Sequence, residues 1–261
     1  MKESQSWTLG IKVKRVHNRI MQRKDNFIEG EYYHLYNRGN SKQKIFLDNQ
    51  DRDRFIKLLY LCNSIKRVNF REDIIKRKKD VWDFDKGKPI ISIGAWVLMP
   101  NHFHIFITVT PNRIASKNPK SNFGQIGQKQ KKQNAISTFM QKVCTSYSKY
   151  FNKKHGRAGS LFETNFKSSR ADADKYLKYL FSYIHLNPIK LIDSKWKENG
   201  VKNIQAAKDF LKNYKWSSYR DYCGPKRVEA KILSKKDFPD YFENQKIFKK
   251  EIFDWLSFKL D

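Results

Sequence analysis

The run Trp96-Val97-Leu98-Met99-Pro100-Asn101-His102-Phe103-His104-Ile105-Phe106-Ile107 decides how this chain is read. Pro100-Asn101 is a turn signal between two apolar segments, so the spacing predicts an antiparallel hairpin over residues 90–99 and 102–109. Successive strand side chains alternate faces, which sets His102 and His104 on one face and sends Phe103 into the core. Two satisfied or exposed imidazoles are the plainer alternative. An otherwise apolar hairpin, however, has little reason to carry two co-facial histidines unless something binds them, and imidazole is a common ligand for divalent metals.

Working outward, Glu31-Tyr32-Tyr33-His34-Leu35-Tyr36 reads as an aromatic strand closed by the turn signal Asn37-Arg38-Gly39-Asn40. Apolar residues at Phe55, Ile56, Leu58, Leu59 and Leu61 predict a helix from Asp48 to about Asn63. Residues 112–134, rich in Lys, Gln, Asn, Ser and Gly, are expected to form a long mobile basic loop. Ile136, Phe139, Met140, Val143 and Tyr147 then predict a helix ending near His155-Gly156, Leu161 to Ser168 a strand, and Ala171-Asp172-Ala173-Asp174 the start of a helix stopped by Pro188. The order βαββαβα predicts an α+β fold: a ferredoxin-like split βαβ antiparallel sheet with one added helix. Residues 1–28 are a basic lead-in, and residues 193–261, with helical patterns around Trp216 to Tyr222 and Phe242 to Phe258, read as a helical C-terminal appendage.

Charge narrows the partner. The chain of 261 residues carries 54 Lys+Arg against 26 Asp+Glu, a net +28 that exceeds what solubility needs and favours a polyanion, nucleic acid above all. No stretch approaches the 18 or so apolar residues of a membrane span, and the first 28 residues lack a secretory apolar segment, so a cytoplasmic protein is expected. Cys62, Cys144 and Cys223 are too widely spaced for a zinc knuckle or a disulfide framework. Arg38, Lys167 and the loop residues Lys129, Lys131 and Lys132 are expected to meet phosphates.

Tyr183 is the candidate nucleophile, although Tyr176, Tyr179 and Tyr183 at helical spacing would equally make a core stripe. A phenol attacks poorly at neutral pH unless a metal activates the electrophile or a base takes its proton. A third ligand on the same helical face would be Asn187, one turn on, whereas His185 faces away. Asn-Pro is also an ordinary helix terminator.

Tyr33-His34-Leu35-Tyr36-Asn37-Arg38-Gly39-Asn40, the Trp96 to His104 run, Phe162 to Ser168 and Tyr183-Ile184-His185-Leu186-Asn187-Pro188 together resemble the HUH single-tyrosine transposases, specifically the REP-associated tyrosine transposases of bacteria. The resemblance covers residues 26–192 and extends weakly to Trp216-Ser217-Ser218-Tyr219. It implies that residues 29–192 are a catalytic domain cutting single-stranded DNA at palindromic hairpins, with His102, His104 and Asn187 holding Mg²⁺ or Mn²⁺ and Tyr183 forming a 5′-phosphotyrosine. The 112–134 loop and the region beyond 193 depart from the family pattern and leave target and oligomeric state, monomer or homodimer, open. The rivals are an HUH replication initiator or relaxase, since Tyr179 and Tyr183 have the two-tyrosine spacing, and a non-catalytic hairpin-binding protein.

Overall fold

The computed structural model describes residues 27–109, 134–239 and 244–257. Most of the basic lead-in and of the 112–134 loop, including Lys129, Lys131 and Lys132, lies outside the described residues. Four strands, β1 (Tyr32–Arg38), β2 (Ser92–Met99), β3 (His102–Thr108) and β4 (Lys167–Ala171), form one sheet in the order β2-β3-β1-β4, every neighbouring pair antiparallel. The helices α1 (Asn49–Cys62), α2 (Ala135–Lys154) and α3 (Asp174–Leu186) complete a β-α-β-β-α-β-α succession. Beyond them come α4 (Trp196–Asn199), α5 (Ile204–Asn213), α6 (Tyr219–Cys223) and α7 (Gln245–Ser257).

The two-residue alternation sorts side chains between two cores. Leu35, Trp96, Leu98, Phe103, Ile105 and Ile107 pack on α1 and α2. Ala95, Val97, Met99 and Phe106 pack on α3, α5, α6 and α7, so the C-terminal helices and the sheet share a core. A sheet covered on both faces needs apolar side chains on both, which is why residues 92–99 are buried without a polar alternation.

Local chemistry sets the boundaries. Asp48 caps α1 in a reciprocal capping box with Asp51. Asn134 caps α2, accepting from Ile136 N–H. α3 ends at Leu186, one residue earlier than a stop at Pro188 requires, and the chain continues as a 3-10 turn, Asn187–Leu191, whose early proline loses no needed N–H. The strand expected over residues 161–168 forms later, at Lys167–Ala171. The preceding stretch is held instead by single bonds, Asn40 N–H to Leu161 O and Glu163 N–H to Arg38 O, a bridge rather than a ladder. α4 and α5 had no expectation in the sequence.

The free edge of β2 is closed by the segment Trp216 to Ser218: Leu98 N–H donates to Trp216 O and Ser218 N–H to Trp96 O, both at 2.9 Å. His185 pins α3 to that segment, its Nε2 2.8 Å from Ser218 Oγ and its Nδ1 2.9 Å from Phe181 O. His185 thus faces the core rather than the histidine pair, as its spacing predicts.

Candidate metal and tyrosine site

The site lies on the sheet face that packs against α3. Antiparallel register sets Tyr36 opposite His104 and Arg38 opposite His102, and His34 comes up two residues before Tyr36 on the same face. The His102 and His104 rings stand 5.0 Å apart and nearly perpendicular. Tyr183, from α3, meets the His104 ring edge-on at 5.6 Å and the His34 ring at 6.3 Å. The structure brings His102, His104, Tyr183 and Asn187 together.

Hydrogen bonds fix which imidazole nitrogens are free. Asn101 Nδ2 donates to Lys42 O, so its Oδ1 faces His102 Nδ1 at 2.6 Å and accepts from it. That leaves the lone pair of His102 on Nε2. His104 Nδ1 lies 2.7 Å from His34 Nε2, while His104 Nε2 is buried with no hydrogen-bond partner. Both histidines therefore have one nitrogen engaged and the other available, the pattern that orients metal-ligating imidazoles.

Asn187 is 0% exposed, and neither Oδ1 nor Nδ2 has a partner. It stands close enough to His102 and Tyr183 to shift both, yet outside hydrogen-bond geometry to either. An orphaned buried amide costs about 1–3 kcal/mol, so three orphaned atoms at one spot, two on Asn187 and one on His104, need a reason. A divalent ion fits: two imidazole nitrogens and an amide oxygen are a plausible donor set for it.

Electrostatics agree with an uncharged donor set. Burial, with the charge of Lys197, lowers His34 to about 3. Burial, with Lys190, lowers His102 to about 4, and burial with its neighbouring histidines takes His104 well below the usual imidazole range. All three are neutral at pH 7, as metal ligation and its support require. Burial raises the Tyr183 phenol, with Asn187 opposing.

Some residues had no sequence expectation. His34 and Asn101 hold the two candidate ligands in place, and only the register across strands reveals His34 as a partner of His104. Lys197 places its Nζ 3.7 Å from the centroid of the Tyr183 ring. Of the expected phosphate contacts, Arg38 is bound to Glu163 through Nε and Nη2 at 3.0 and 2.7 Å, and Lys167 is exposed opposite Tyr36.

A second group stands on the opposite side of the sheet, where α1 and α2 pack. Asp48, Asp51 and His155 offer donor atoms within 4.8 Å of one another and could hold a metal ion. Their carboxylates are already engaged: Lys154 Nζ lies 2.7 Å from Asp48 and 3.0 Å from Asp51, and both aspartates serve the α1 cap. A cation entering there must displace an ammonium. No described helix is long and apolar enough to cross a membrane.

No family model matches the chain, and no curated protein matches it. It is similar to the solved structure of a REP-associated tyrosine transposase bound to a REP hairpin, at 15% identity and a TM-score of 0.42, over 80% of this chain and 90% of that one.

Proposed function

We propose that this protein is a metal-dependent transposase that cleaves and rejoins single-stranded DNA at palindromic hairpins, using Tyr183 as its only nucleophile. The observation that carries the reading is the convergence of His102, His104, Asn187 and Tyr183 on one largely buried face, with the outstanding polar atoms of His104 and Asn187 unpartnered. The order β2-β3-β1-β4, antiparallel throughout, supports assigning residues 29–192 to a ferredoxin-like catalytic unit.

In this reading His102, His104 and Asn187 would hold Mg²⁺ or Mn²⁺, which when bound would neutralise charge on the scissile phosphate. Tyr183 Oη attacks phosphorus, an Oη–P bond forms and the P–O3′ bond breaks, leaving a 5′-phosphotyrosine and a free 3′ end. The phenolic proton departs to water and the 3′ oxygen takes one up. Because burial keeps the phenol protonated at neutral pH, that departure belongs to the attack itself. The bond energy stays in the phosphotyrosine, so rejoining needs no external energy source. His34 and Asn101 orient the two imidazoles throughout.

A two-tyrosine initiator or relaxase would use Tyr179 as well. Tyr179 stacks on Tyr183 at 6.0 Å and meets Trp255 edge-on at 5.2 Å, so it packs between them while Tyr183 faces the histidines. The test is incubation with labelled single-stranded hairpins and Mn²⁺, followed by denaturing electrophoresis. Wild type and Tyr179→Phe should form a covalent adduct, and Tyr183→Phe should bind DNA without forming one. An adduct mapped to Tyr179, or none in wild type, overturns the mechanism.

A further inference from the structure

Two lysines converge on this site, and among the described residues neither forms an ion pair. Lys197 is half-buried, and its ammonium lies on the face of the Tyr183 ring at 3.7 Å and 5.9 Å from the Trp196 ring. Lys190, in the 3-10 turn that begins at Asn187, lies near enough for its charge to act on His102, His104 and Lys197. Neither makes a hydrogen bond or ion pair with a described residue, and Glu198 acts on Lys197 through charge alone.

Burial and the neighbouring charge of Lys190 lower Lys197 to about 8, the strain of a desolvated cation beside a like charge. A cation–π contact returns about 0.5–2 kcal/mol and leaves the repulsion in place. Surface lysines avoid such a position by extending into water. Two cations set against a tyrosine and three uncharged imidazoles, with no ion pair among the described residues, suit an anion.

We propose that Lys197, assisted by Lys190, is the phosphate seat of the site, contacting the non-bridging oxygens of the phosphodiester that Tyr183 attacks. The inference rests on the transposase reading for its reaction, but the seat itself requires only an anionic phosphate. The ammonium on the ring face would bring a phosphate to the side of the phenol, beside the histidines, where in-line attack is possible. Charge that builds on the oxygens during transfer would then meet a fixed cation in a site largely out of water. Lys190 would reinforce that contact from the ligand side.

The test uses the full chain with Lys197→Met, which keeps the stem on the tyrosine ring and removes only the charge, and Lys197→Arg, which restores it. Two readouts are needed. In the hairpin adduct assay, Lys197→Met should lose about a hundredfold in rate at saturating DNA, on the scale of removing one fixed donor from a transition state, and Lys197→Arg should recover most of it. Mn²⁺ affinity should be unchanged in both. Separately, a thymidine hexanucleotide should bind wild type more tightly than its uncharged methylphosphonate counterpart, and Lys197→Met should lose a measurable part of that preference. Adduct formation by Lys197→Met at the wild-type rate overturns the proposal, as does an undiminished preference for the charged hexanucleotide. If wild type forms no adduct but Lys197→Met still reduces the preference, the nucleophile assignment fails and the phosphate seat stands.

Discussion

Asn187 concentrates the argument at the scale of single residues. An amide buried completely and bonded to nothing is costly wherever it sits, and here it sits one helical turn after a tyrosine and beside the His102 imidazole. If the cluster binds a cation, calorimetry with Mn²⁺ should give one site, and His104→Ala or Asn187→Ala should abolish or strongly weaken it. His34→Phe removes only the partner of His104 Nδ1, so affinity should fall about 10–100-fold while the ligands remain. Undiminished Mn²⁺ affinity in Asn187→Ala would remove it from the ligand set. A second residue-scale prediction concerns pH. Burial lowers His185 to about 3, so between roughly pH 6.5 and 3 the unfolded chain binds a proton that the folded chain refuses. Its contribution to stability is complete above pH 6.5 and drains by up to about 1.4 kcal/mol per unit as pH falls, His34 acting in the same direction. Urea midpoints should fall below pH 6.5, and His185→Phe should start less stable at pH 7 but decline less steeply. The histidine pair, Tyr183 and Asn187 could be chosen from strand alternation, helix spacing and family resemblance. His34, Asn101 and Lys197 could not be, because their roles arise from cross-strand register, a turn carbonyl and a helix far along the chain.

Elements were legible in proportion to their periodicity. α1, α2 and α3 present apolar residues three and four apart, and their ends fall within a few residues of the expected positions because caps are local chemistry. β4 is displaced because Leu161 and Phe162 look strand-like yet turn into the core beneath α2, while the paired residues Lys167 to Ala171 are mostly polar. Ladder membership there depends on reaching β1, which composition does not encode. The packing of the C-terminal region on β2 depends on another nonlocal match, at Gly94, where the register with β3 shifts. A Cβ at Gly94 would lie 2.6 Å from the Phe238 ring, which itself packs on Phe106 at 5.3 Å and Tyr32 at 5.5 Å, and Tyr222 donates to the Gly94 carbonyl. Gly94→Ala should therefore destabilise by about 1–3 kcal/mol, the usual cost of forced overpacking, seen as a lower urea midpoint. Gly94→Ala with Phe238→Leu should recover part of the loss. A fully stable Gly94→Ala would mean that the Phe238 ring is not seated against β2 as described.

At the scale of the whole molecule the governing quantity is charge. A net +28 cannot be explained by the surface ion pairs, such as Arg38 with Glu163 or Arg170 with Glu31, since each of these is neutral as a pair. Exposed pairs also contribute little to stability. The excess positive charge raises self-repulsion and is tolerable chiefly if a polyanion lowers it. Residues 112–134 contain six basic residues and no acidic one, so a nucleic-acid partner would draw part of its affinity from that segment whether or not it touches the tyrosine. Counterion release then gives a quantitative expectation: log affinity for a single-stranded hairpin should fall linearly with log salt, by about 0.7–0.9 per phosphate neutralised. Replacing Lys129, Lys131 and Lys132 together by Gln should make the slope shallower by about 2 units and weaken binding for all sequences alike. Tyr183→Phe, which changes no charge, should leave the slope where it was. A slope that is flat in wild type would exclude nucleic acid as the partner of this charge. A steep slope indifferent to the three lysines would move the contact surface onto the described part of the molecule, where Lys167, Lys190 and Lys197 lie.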